Sequence, residues 1–156
     1  MHNDIEPQAA TLVGQLVFSF ARLDFMLALA LRNLIPSSTP DDLNPMIERL
    51  GFKERMDTLK DVVSTSQRLN PVALEQFDAW FPTADRLRQT RNAFVHGRWG
   101  MQTRETLFNA STKVGKALSG GAKIYSVPDL ESEAAVAKQV LSTFEVWHRK
   151  HVVGAA

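Results

Sequence analysis

The sequence predicts a mainly α-helical domain: a bundle of four to five helices with a small β hairpin or meander inserted before the last helix. Three observations carry that expectation. Apolar residues recur at steps of three and four over most of the chain, the helical stretches are bounded by recognisable start and stop residues, and short alternating runs appear only after Gly97. A chain of 156 residues, 44% of them hydrophobic, is long enough for one sizeable core and short for two domains. A single domain over residues 1–156 is therefore expected, with the β insertion at about 98–127.

Leu12, Leu16, Leu23, Leu27, Leu31 and Leu34 recur at helical steps, and Val13, Val17, Phe20, Phe25 and Leu29 widen the apolar surface beyond one stripe. A first helix over about 7–34 is thus expected to be apolar on two sides, with another subunit as the candidate for the second side. Pro36-Ser-Ser-Thr-Pro40 ends it in a loop, and Asn44-Pro45 opens a short helical turn. Phe52, Met56, Leu59 and Val63 mark a second helix over about 52–68. Asn70-Pro71 pairs an N-cap residue with proline at the first helical position, and the third helix it opens carries Leu74, Phe77, Ala84, Leu87, Phe94 and Val95 until Gly97 stops it. The runs 99–102, 106–111 and 123–127, with Ser119-Gly-Gly121 between the last two, read as β structure. Pro128-Asp-Leu-Glu131 opens a last helix to about Lys150, with Ala134, Val136, Val140, Leu141, Phe144 and Trp147 facing inward.

There is no cysteine, which excludes disulfides, thiolate metal sites and cysteine nucleophiles. The opening Met1-His-Asn-Asp-Ile-Glu6 does not read as a signal peptide, and Gln15, Arg22, Asp24 and Arg32 interrupt the most apolar stretch at a cost in lipid. A cytoplasmic protein without a membrane segment is the expectation. The net charge of +1 hides a segregation: residues 86–128 carry eight cations, from Arg86 to Lys123, against the single acid Glu105. A basic face of that kind attracts polyanions.

The chemistry concentrates at the end of the third helix, in Arg88-Gln-Thr-Arg91-Asn92-Ala-Phe-Val-His96-Gly97-Arg98-Trp99. At 100° per residue Arg88, Asn92 and His96 share one stripe, while Arg91 falls on the apolar side. A guanidinium there requires a specific partner, either an acid such as Asp24 on the first helix or an anion in a cleft. An imidazole in the last helical turn suits acid and base work.

Arg91-Asn92-Ala-Phe-Val-His96 resembles the Arg, Asn and His motif of HEPN domains, all-helical bundles widespread in prokaryotic toxin and defence systems. The resemblance is strongest over about residues 74–100 and extends to the order of helices, so that it implies an HEPN-like bundle. It further implies a homodimer formed through the first and third helices, with both motifs in one cleft, and a metal-independent endoribonuclease acting without a cofactor. Arg91, Asn92 and His96 would be the catalytic residues, and Arg88, Arg98 and Trp99 would hold RNA. An antitoxin or other protein partner is compatible with such a family. The chain departs from the pattern of nucleotidyltransferase-controlled members at Arg98, where those often carry a tyrosine; its one tyrosine is Tyr125. A non-catalytic helical dimerisation or protein-interaction module is the alternative.

Other constellations are thinner. Glu145-Val-Trp-His148 has di-iron spacing but no second copy. His148 and His151 are expected on a frayed surface turn, and Trp80 and Trp147 in the core.

Overall fold

The computed structural model describes residues 4–110 and 121–154. The expected turn at Ser119-Gly120 and the cations Lys113 and Lys116 lie outside the described residues. Helix α1 (Ile5–Leu34) starts at Asp4, whose carboxylate accepts the Glu6 N–H at 3.1 Å, and ends where Ile35 turns extended ahead of Pro36. A 3-10 turn (Pro40–Leu43) and the short α2 (Asn44–Glu48) form the helical turn expected at Asn44. Helix α3 (Phe52–Thr65) stops three residues before the expected end, where Ser66 adopts an extended backbone. Helix α4 (Pro71–His96) is capped by Asn70, whose side chain accepts the Ala73 N–H at 2.8 Å, and it runs on through Pro82.

Strands β1 (Arg98–Met101), β2 (Thr106–Ala110) and β3 (Lys123–Ser126) form an antiparallel meander in the order β1-β2-β3. Trp99 sits opposite Asn109, Gly100 opposite Phe108, and Leu107 opposite Tyr125. Helix α5 (Val127–Trp147) follows at once, started by a reciprocal cap in which the Asp129 N–H donates to Ser126 Oγ at 3.2 Å and the Ser126 N–H donates to Asp129 Oδ2 at 2.8 Å. The fold is mainly α, with five helices and one small sheet among the described residues.

α1 is the central helix, lying along α5 and against α3 and α4, and nine of its residues are buried. Two indoles tie α4 to α5: Trp80 Nε1 donates to the Val140 carbonyl at 3.0 Å and Trp147 Nε1 to the Ala73 carbonyl at 2.9 Å. Both tryptophans are therefore core residues with their polar atoms satisfied. Val95 and Val136, expected inside, are exposed, because each sits on the flank of its helix beside the arc its neighbours cover. The far face of α1 stays open, with Phe18 75% and Phe25 66% exposed. By length and composition α1 could also cross a membrane, a test that the core helix of a soluble bundle passes equally.

The end of the chain corrects a further expectation. Instead of fraying, the last helix continues as a π turn (His148–Val153), and His148 and His151 are 4% and 6% exposed. The wider turn places both rings on the bundle, where His148 Nε2 meets Asn33 Nδ2 at 3.2 Å and His151 Nε2 meets Gln76 Oε1 at 2.8 Å. Burial holds the His148 imidazole below its ordinary pKa; burial and then Lys150 do the same to His151.

Candidate functional site at the end of helix α4

Helix α4 delivers the motif residues in two groups. Arg91 lies half-buried on the α1 side, its guanidinium carbon 4.8 Å from the centre of the Phe20 ring. Its Nη1 donates to Asn92 Oδ1 at 3.1 Å, and its Nε is buried with no hydrogen-bond partner among the described residues. The acid considered for it is taken: Asp24 binds Arg55 through Oδ1 at 2.9 Å and through its carbonyl at 3.1 Å. Among the described residues Arg91 thus has an aromatic face and an amide but no carboxylate within ion-pair range.

His96 is exposed and makes no side-chain hydrogen bond among the described residues. It follows Arg91 by five positions, about 140° around the helix axis, so the two side chains leave α4 on different sides. Within one chain the fold joins Arg91 to Asn92 and turns His96 away from Arg91, one turn beyond Asn92 on the same stripe and bonded to neither among the described residues. Arg88 is committed elsewhere: its Nε donates to Asp85 Oδ1 at 2.8 Å, and that bond, opposed by desolvation, helps hold the Asp85 carboxyl below its ordinary pKa.

Beyond the helix, Arg98 is exposed at the start of edge strand β1. Trp99 is half-buried. Its Nε1 donates to the Phe94 carbonyl at 2.8 Å, and its ring meets Phe94 edge-on at 5.1 Å and Tyr125 at 5.8 Å. Its remaining surface lines an apolar groove of about 480 Å³ with Val13, Phe18 and Met101. Trp99 therefore joins the aromatic cluster first, and any contact with a ligand would use that groove edge.

Asn109 is the residue at this site that sequence reasoning missed. It is 5% exposed on β2, and its Nδ2 donates at 3.0 Å to the Ala93 carbonyl, which also accepts the Gly97 N–H at 2.8 Å. The available signal was an amide at an inward position of an alternating strand, two residues after Leu107. Gly97 does stop α4, but in extended backbone (φ −75°, ψ 163°) rather than by a left-handed turn. Glycine is needed because a Cβ there would lie 2.6 Å from Asn109 Nδ2 and against the Ala93 carbonyl.

Glu145 and His148 do not cooperate. Glu145 faces Arg22 at 3.8 Å, while His148 is engaged with Asn33. No family model, curated protein or solved structure matches the chain.

Proposed function

We propose that this protein is an HEPN-like, metal-independent endoribonuclease that works as a homodimer, of the kind used in toxin or defence systems. The observation that carries the reading is Arg91, a half-buried cation with no acid partner among the described residues, in a segment rich in further cations. A charge held in that way is completed by an anion, and a phosphodiester is the anion the surrounding basic surface attracts.

In the reaction a ribose 2′-hydroxyl attacks the adjacent phosphorus, its proton passes to a base, and the P–O5′ bond breaks as an acid protonates the leaving oxygen. His96, open to solvent, takes one of those roles and the partner's His96 the other. Arg91 neutralises charge growing on the phosphoryl oxygens. Asn92 holds the guanidinium through Oδ1 and presents its Nδ2 to the phosphate. The separation of His96 from Arg91 within one chain supports a composite site, in which one protomer's histidine faces the other's arginine. The products are a 2′,3′-cyclic phosphate and a 5′-hydroxyl, and DNA, lacking the nucleophile, stays intact.

The test is cleavage of a mixed RNA pool in excess EDTA, with product ends analysed. Wild type should produce cyclic phosphate ends, and His96→Ala and Arg91→Ala should each lose about 10²-fold or more in rate. Equal cleavage by His96→Ala and wild type would defeat the mechanism. The second reading, a non-catalytic dimerisation or interaction module, draws on the exposed Phe18 and Phe25 and gains ground if neither wild type nor variant cuts.

A further inference from the structure

Beside the motif, on another face of α4, lies a cleft of about 660 Å³ that belongs neither to the Arg91 side nor to the apolar groove. Its walls come from α4, from the inner faces of β2 and β3, and from α5. The volume falls within the range of small-ligand sites, and the lining is mixed, with a larger polar share than the apolar groove has.

Two cations from different elements line it: Arg86 on α4 and Lys123 on β3. Both are exposed, and neither forms an ion pair among the described residues, whereas Arg88, two positions from Arg86, is neutralised by Asp85. The buried Asn109 also lines it, its Nδ2 committed to Ala93 and its Oδ1 without a partner among the described residues. Glu133 on α5 is the one acid in the lining among the described residues. A phosphate would avoid that carboxylate and pair with the cations, and the carboxylate suits an exocyclic amino group of a base. Cations for a phosphate and a carboxylate for an amino-bearing ring, lining one cleft, describe a nucleotide. Ala93 lines the cleft, and His96 lies three residues farther along the same helix, about 4.5 Å on along the axis.

We infer that this cleft seats a nucleotide of single-stranded RNA adjoining the phosphodiester presented to His96, with Arg86 and Lys123 on its phosphate and Asn109 and Glu133 on its base. The inference rests on the ribonuclease reading for its substrate. It accounts for Arg86 and Lys123, cations that the motif itself does not use.

The test uses the full chain and a fluorescein-labelled 2′-O-methyl oligoribonucleotide of mixed sequence, which lacks the nucleophile and survives. In an anisotropy titration Arg86→Glu with Lys123→Glu should weaken binding about tenfold or more and reduce the salt slope by about two. The same charge change at Lys138→Glu with Arg149→Glu, exposed positions outside the cleft, should have far less effect. Equal losses in the two double variants, with unchanged melting curves, would overturn the cleft. Because the chain has no cysteine, Gln89→Cys in the cleft and Lys138→Cys outside it can be labelled singly with a maleimide. The oligonucleotide should slow labelling of the first and not of the second, and absence of protection at position 89 also overturns the inference. Mononucleotides should displace the oligonucleotide only at millimolar concentration; displacement at micromolar concentration would reassign the cleft to a free nucleotide and overturn the strand. Protection without His96-dependent cleavage would sink the ribonuclease reading alone, and His96-dependent cleavage without protection would sink the cleft alone.

Discussion

Gly97 and Asn109 show how much of the site hangs on one contact. The Asn109 amide reaches the Ala93 carbonyl across a gap in which glycine alone fits, and this joins the last turn of α4 to the middle strand. Gly97→Ala sets a methyl against a backbone carbonyl and a buried amide. It should cost about 1–3 kcal/mol in denaturant unfolding, and a cost near zero would mean that the contact yields freely. The glycine was legible in the sequence as a helix stop. The reason for it was not, because its close neighbour lies twelve positions away on β2. Arg91 teaches the complementary lesson. Helical spacing showed that it needed a partner, but only packing decided that Asp24 would be taken by Arg55 and that Phe20 would lie against the guanidinium instead.

At the scale of elements, the helices were legible and their ends were less so. Caps at Asp4, Asn70 and Ser126 are local chemistry that follows from residue type. The π turn after α5 is not local. His148 and His151 read as polar residues at a fraying end, and they are buried because Asn33 and Gln76, on α1 and α4, meet them there. Asn33 Nδ2 can donate to His148 Nε2 only while that nitrogen carries no proton. Since burial lowers the folded pKa of both imidazoles, the unfolded chain binds protons more readily than the fold does. Their contribution is therefore complete above the ordinary histidine pKa of about 6.5 and is lost as the pH falls through it toward the lowered folded values. Melting temperatures should fall between pH 7.5 and pH 5, and fall less in His148→Gln, which keeps an acceptor without the titration. Parallel decreases in both proteins would remove His148 from that role.

At the scale of the whole molecule, α1 presents an apolar face that its own chain leaves exposed among the described residues. Gly14, Phe18, Ala21 and Phe25 recur at steps of four, three and four on the face turned from the core, and Phe18 shares a groove with Trp99 beside the end of α4. A second copy docked there would bring two α4 ends together, as the composite site requires. Wild type should sediment at about twice the 17.4 kDa of one chain, and Phe18→Glu with Phe25→Glu should sediment as single chains and lose cleavage. A monomeric wild type at micromolar concentration would count against the dimer. The helical class, the order of elements and the position of the motif in the last turn of a long helix were all legible in the chain, because periodicity, caps and prolines act over a few residues. Which polar groups are paired was settled by packing. It left Arg91 without an acid among the described residues, turned His96 to solvent, and opened the cleft between α4, the sheet and α5. Those outcomes depend on which distant segments arrive first at a given charge or amide, and the spacing along one helix carries no record of that.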